Sequence, residues 1–95
     1  MFLVMLTYKV PIEEVERHLE SHGTYLDQQY AAKRFICSGR KVPRTGGVIL
    51  ANVPAREELD RILSQDPFYQ HDIAEYEIIE FQPTKYDERF QAFIP

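Results

Sequence analysis

The tightest constraint on this chain comes from two segments that are apolar on both pleat faces. Residues 2–8 place Phe2, Val4 and Leu6 on one face and Leu3 and Met5 on the other. Residues 47–53 repeat the pattern, with Val48 and Leu50 against Ile49 and Ala51. Side chains of a strand alternate between the two faces of its sheet, so strands like these are buried on both sides. With 95 residues in all, the chain makes one domain with one core. Little is left over to cover two faces of one sheet.

What is left reads mainly as helix. Pro11 opens the first helix, where its missing N–H costs no hydrogen bond. Glu13, Glu14 and Glu16 set negative charge against the positive end of the helix dipole. Ile12, Val15, Leu19, His22 and Leu26 then recur at three- and four-residue steps, which predicts a helix to about residue 30. Gly23 weakens it locally by about 1 kcal/mol relative to Ala. Residues 34–39 read as a second strand, with Cys37 as a buried packing residue. Residues 41–46, containing Pro43, form a loop into the strand at 47–53. A second helix starts at Pro54 or Ala55 and buries Leu59, Ile62 and Leu63. It ends at Asp66, because a residue before proline avoids the helical region. Residues 68–72 read as an irregular connection. Residues 73–82 form the fourth strand, with Tyr76, Ile78 and Glu80 on one face and Ile79 and Phe81 on the other. The tail, residues 84–95, carries Tyr86, Phe90 and Phe93, which are expected to pack across a partner subunit or a pocket mouth.

The order is β-α-β-β-α-β, an α+β ferredoxin-like arrangement with a four-stranded antiparallel sheet and two helices on one face. Nothing remains to cover the other face. Left open, it would exceed the few hundred Å² of apolar patch that monomers usually expose. The expectation is a homodimer that closes sheet on sheet.

Charge and motifs exclude several classes. A net charge of −4 repels phosphate backbones, so no nucleic-acid partner is expected. No run approaches the roughly 20 apolar residues that cross a bilayer. The apolar residues 1–6 have no basic segment before them and no cleavage site after them, so they do not read as a signal peptide. Cys37 is the single cysteine, so there is no intrachain disulfide and a cytoplasmic location is the simplest. No Rossmann or Walker pattern implies a cofactor, and Gly46-Gly47 reads as a turn rather than a phosphate loop. His18 and His22 have the spacing of two metal ligands, but the H-E-x-x-H pattern is absent and Cys37 stands alone. No metal is expected.

Four pieces of sequence then fall in an informative order: His22-Gly23-Thr24-Tyr25-Leu26, the run from Ser38-Gly39 to Gly46-Gly47-Val48-Ile49-Leu50, Asp66-Pro67-Phe68, and Tyr76-Glu77-Ile78-Ile79-Glu80-Phe81. Together they resemble the YciI-like family of dimeric ferredoxin-like α+β barrel proteins, over most of residues 2–83. Arg40 departs from the pattern, since proline is common there. The resemblance implies that His22 and Asp66 form a pocket-lining pair, with Ser38 as a pocket hydroxyl. Its best-understood chemistry is elimination from a hydroxylated, chlorinated ring.

The residues support such a site in their own terms. Right-handed crossovers are read as making the two helices run in the same direction, which brings their C-terminal ends together. His22, in the later half of the first helix, would then meet Asp66 at the end of the second. A carboxylate beside the imidazole fixes its tautomer and leaves the other ring nitrogen free for general acid–base work. On the same reading Ser38, at the end of the second strand, lies far from Asp66. Arg40, Lys41 and Arg44 cluster on the following loop, as a solvated hairpin or as an anion-steering rim to which Arg40 and Arg44 contribute. The plainer reading makes His22 a structural histidine and Asp66 a turn former. Two functions follow. One is a small cofactor-free enzyme of elimination or isomerisation type acting on a small, aromatic or carbonyl-bearing molecule. The other is a non-catalytic ligand-binding or accessory dimeric module.

Overall fold

Strand β1 (Phe2–Tyr8) is the middle of the molecule, and every other strand is placed relative to it. The computed structural model describes residues 1–94. After β1 come α1 (Ile12–Arg17), α2 (Leu19–Ala31), β2 (Phe35–Arg40), β3 (Gly46–Ala51), α3 (Arg56–Leu63), α4 (Pro67–Gln70) and β4 (Ala74–Glu80), and a short 3₁₀ helix spans Glu88–Phe93. The sheet order is β2-β3-β1-β4 with every neighbouring pair antiparallel. This is the α+β ferredoxin-like arrangement.

The apolar alternation of β1 decides which side is covered. Phe2, Val4 and Leu6 are buried against the helices, together with Ile49 and Ala51 from β3. Val15, Tyr25, Leu59, Ile62, Leu63 and Phe68 come down from the helical layer to meet them. The opposite face carries Leu3 and Met5 beside Val48 and Leu50, all only partly buried. Ile79 on β4 pairs with Leu3 and is 46% exposed.

The first helix of the sequence reading is two helices. His18, at φ −111° and ψ 4°, leaves the helical region and separates α1 from α2. The predicted stripe is accordingly discontinuous: Val15 is fully buried, whereas Ile12 and Leu19 remain more than one-third exposed. A second departure concerns residues 68–72. Pro67–Gln70 is a helical turn capped by the Asp66 side chain, not an irregular connection. A four-residue helix is too short to display a period, but Asp before Pro is the signature of an N-cap followed by a first-turn proline.

The helices run in opposite directions, which corrects the expected parallel arrangement. β1 and β2 point the same way, because each is antiparallel to β3. The α1–α2 unit that connects them must return against them. β3 and β4 both oppose β1, so α3 returns the opposite way. The right-handed rule fixes the hand of each crossover. The relative direction of the two helices comes from the antiparallel pairing of β1 with β3. The start of α2, the end of α3, the end of β2 and the start of β3 therefore share one end of the domain.

At that end the backbone is tight. Lys41 N–H bonds the Gly46 carbonyl at 2.9 Å, closing the β2–β3 hairpin. Gly46 packs so closely on β1 that a Cβ there would stand 1.7 Å from the Leu6 carbonyl oxygen. Only glycine fits. The tail lies at the other end. Asn52, just after β3, donates from Nδ2 to the Phe93 carbonyl at 2.9 Å. Tyr86, Phe90 and Phe93 pack in sequence there with tilted rings. Within its own chain the tail therefore does not reach the mouth of the cavity described next.

Candidate active site

Asp66 is wholly buried, which is costly for a carboxylate unless donors surround it. The chain supplies three. Pro67 forces Asp66 into extended backbone (φ −69°, ψ 126°), and this lets its side chain fold back onto the next turn. Oδ1 accepts the Phe68 N–H at 2.9 Å. Oδ1 also lies 2.7 Å from His22 Nδ1. Oδ2 accepts the Tyr76 hydroxyl at 2.6 Å. Burial, and then the Asp66 charge, push the Tyr76 phenol far above its ordinary pKa, so it stays a neutral donor. With donors at every contact, Asp66 acts as an acceptor, and the network puts the neutral imidazole proton on Nδ1.

His22 sits in the first turn of α2, not in the later half of its helix. It meets Asp66 because α2 begins where α3 ends. Its ring stacks on Phe68 at 3.9 Å between centroids, with 2° between planes. Phe68 thus closes one face of the imidazole and Asp66 holds one edge. Nε2 has no hydrogen-bond partner among the described residues. The side chain is 14% exposed. Nearby, the Tyr25 hydroxyl donates to the Ile62 carbonyl at 2.9 Å and ties α2 to α3. His18 turns elsewhere, stacking on His71 and facing Glu14.

His22 lines a cavity of about 230 Å³ at this end of the sheet. Leu6, Leu19, Leu26 and Ile49 give it apolar walls, and Ser38, Arg40 and Arg44 line it too. The volume lies below the range that holds drug-sized ligands and suits a single substituted ring. Arg44 is partly neutralised by Glu16, 3.8 Å away. Arg40 forms no ion pair among the described residues.

Ser38, expected far from Asp66, lines the same cavity as His22, and Cys37 is exposed rather than buried. The first correction follows from the opposed helices, which put the end of α3 beside the end of β2, and the second has a local cause. In the pairing of β2 with β3, Phe35 faces Ala51 but Cys37 faces Leu50, leaving Ile36 as an extra residue. This β-bulge shifts the alternation by one. Ser38 and Arg40 then share a face with Ile49 and Gly47, on the cavity side. Cys37 goes to the open face of the sheet. The Ser38 hydroxyl is held at 2.6 Å by the Tyr30 hydroxyl of α2.

Tyr76, Phe68 and Tyr30 are the contacts that sequence reasoning misses. For Tyr76 a signal exists: an inward-facing tyrosine on β4 needs an acceptor for its hydroxyl, and a buried aspartate needs donors.

The fold and this arrangement define a ferredoxin-like α+β domain with a ring-sized, histidine-lined cavity at one end of its sheet. Residues 1–82 match the model of the YCII-related domain, and the chain belongs to that family. Among solved structures, the fold is similar to 5-chloro-2-hydroxyhydroquinone dehydrochlorinase (TftG) from Burkholderia phenoliruptrix AC1100, in complex with 2,5-dihydroxybenzoquinone. The TM-score is 0.72 at 14% identity, over 86% of this chain and 94% of that one. At that identity the likeness is one of fold. No curated protein sequence matches the chain. No helix is long and apolar enough to cross a membrane among the described residues.

Proposed function

We propose that this chain is a small enzyme in which His22 Nε2 moves a proton on a ring-sized anionic molecule, in a reaction of elimination or isomerisation type. The observation that carries the reading is the state of the imidazole: Nδ1 is held 2.7 Å from a buried carboxylate, while Nε2 is unpartnered and the ring lines a cavity. An imidazole with one nitrogen oriented by a carboxylate and the other free is equipped for general acid–base catalysis. In this reading Asp66 orients His22 and never touches substrate, because it is wholly buried. Ser38, Arg40 and Arg44 receive the anionic oxygen of a phenolate, enolate or carboxylate at the opposite wall. The solved neighbour is named as a dehydrochlorinase and was captured with a dihydroxybenzoquinone, which supports elimination on a hydroxylated ring. The reaction needs one proton shuttle, and His22 supplies it without a cofactor.

The test is a screen of small phenols, hydroxyquinones and lactones for turnover by the wild type and by His22 variants. Turnover that depends on His22 supports the reading. Saturable binding with no turnover of any compound would favour a ligand-binding module instead, with the histidine and aspartate only holding α2 against α4.

Anion capture carries its own expectation. Arg40→Ala should weaken binding of a carboxylate or phenolate by about 1.5 kcal/mol, roughly tenfold, at low salt. The loss should shrink as salt screens the rim. Arg44→Ala should cost less, because Glu16 already shares that guanidinium. Calorimetric titration at two salt concentrations checks both. Equal losses at both salts would remove the steering role.

The proposal includes a homodimer closed through the open sheet face, since Leu3, Met5, Val48 and Leu50 lie side by side there and monomers rarely leave contiguous apolar patches of more than a few hundred Å² uncovered. Sedimentation equilibrium should return twice the mass of the chain. A monomer at the concentrations used for assay would refute it.

A further inference from the structure

Tyr76 stands outside the cavity lining, yet it makes the closest polar contact to Asp66. Its hydroxyl donates to Oδ2 at 2.6 Å, while Oδ1 serves His22 and the Phe68 N–H. The carboxylate is thereby held from three elements: α2 through His22, α4 through Phe68 and β4 through Tyr76. Tyr76 itself is fixed by the sheet, paired with Leu6 across the β1–β4 ladder, and its ring meets Tyr69 edge-on at 5.6 Å.

We infer that Tyr76 is a positioning residue, whose hydroxyl locks the Asp66 carboxylate and through it keeps His22 in the tautomer with Nδ1 protonated and Nε2 bare. The inference rests on the reading of His22 as the proton-transfer group. The reasoning is geometric. One carboxylate oxygen is bonded to His22 and to the α4 turn, and because the carboxylate is rigid and planar, any turn about the Cβ–Cγ bond moves both oxygens together. A donor at Oδ2 fixes the carboxylate plane. With the plane fixed, Oδ1 remains an acceptor aimed at Nδ1, and a neutral imidazole keeps its proton there. Without it, the neutral ring can exchange its proton between its nitrogens. The fraction with Nε2 protonated cannot act as a base toward the cavity. The upward push on the Tyr76 phenol is consistent with this role, since the phenol remains a donor across the range in which proteins fold.

The experiment reads the two ring-nitrogen shifts of His22 in ¹⁵N-labelled protein at a pH where the imidazole is neutral. The wild type should show one protonated nitrogen, Nδ1, and one unprotonated nitrogen, Nε2. Tyr76→Phe, which keeps the ring and deletes the donor, should move the two shifts toward each other as the tautomers mix. Should Tyr76→Phe fail to fold, wild-type protein made with 3-fluorotyrosine decides. Its phenol is a stronger donor, so it should hold the carboxylate more firmly and move the two His22 shifts further apart, whereas shifts drawn together would overturn the lock. Tyr25 does not confound this, because its hydroxyl goes to the Ile62 carbonyl. If Asp66→Asn disturbs the tautomer while Tyr76→Phe and the fluorinated protein leave it unchanged, the Tyr76 role is overturned and the His22 reading stands. Mixed tautomers already present in the wild type would overturn both.

Discussion

His22→Ala should lower kcat/KM by roughly 10²- to 10⁴-fold, the range that a positioned general acid or base contributes. This is the largest effect expected on activity, because the proposed function makes His22, which lines the cavity, the proton-moving group. The variant also loses the stack on Phe68 at 3.9 Å. Thermal unfolding therefore has to be measured beside the kinetics, on whichever hydroxylated ring or lactone the screen selects. A fall confined to kcat, with KM held, would place the loss in the transition state rather than in binding. Activity within about threefold of wild type would end the general-base reading, since so small a change lies well below what proton transfer contributes.

Asp66→Ala should be the most destabilising substitution near the site. It strands three donors at once: the Phe68 N–H, the Tyr76 hydroxyl and His22 Nδ1. The Phe68 N–H is buried and the Tyr76 hydroxyl part-buried, so solvent replaces little of what is lost. Breaking a buried polar network of this kind costs about 3–5 kcal/mol, a large share of the roughly 5–15 kcal/mol that holds a domain folded. For a chain of this length each kcal/mol moves the unfolding midpoint by about 4–8 °C. The expected fall is therefore more than about 12 °C, read by calorimetry or circular dichroism. Asp66→Asn retains an acceptor for the helix cap and should cost less than half as much. If Asp66→Ala unfolds within about 3 °C of wild type, the carboxylate does not organise this end of the fold.

Much of the architecture is legible in the sequence because it rests on period. The double-faced apolar runs at 2–8 and 47–53 identify the central strands, and the α3 stripe of Leu59, Ile62 and Leu63 is as buried as its spacing requires. What stays hidden has particular causes. Phe35-Ile36-Cys37 reads as an uninterrupted strand, and nothing in those residue types marks Ile36 as extra. Hence Cys37 is read as buried, while Ser38 is read as distant because parallel helices would set Asp66 at the other end of the domain. The break at His18 likewise leaves no proline or adjacent glycine pair to betray it. The proximity of His22 and Asp66 follows from antiparallel helices, through a route opposite to the parallel one expected from crossover hand alone. His22 lies early in its helix, and that offsets the reversed direction. Residue roles are a separate matter. Four motifs singled out His22, Asp66 and Ser38, but they leave out Tyr30 and name Tyr76 only as the start of the last strand, and the partners of both tyrosines are found only in the folded chain.

The extra residue at Ile36 has a consequence for how such a cavity could diversify. Point substitution changes one wall group at a time. Pairing Ile36 in register would slip the ladder by one and exchange the whole set, with a thiol and a hydrogen atom from Cys37 and Gly39 in place of the hydroxyl and guanidinium of Ser38 and Arg40, whereas deleting Ile36 would leave Cys37 to Arg40 with their present partners and the set unchanged. Register in an edge strand is thus a coarse dial on chemistry. Relatives that pair this residue in register should present the other face of the strand to the cavity and differ in the ligands they accept, while relatives that merely lack it should keep the same wall positions.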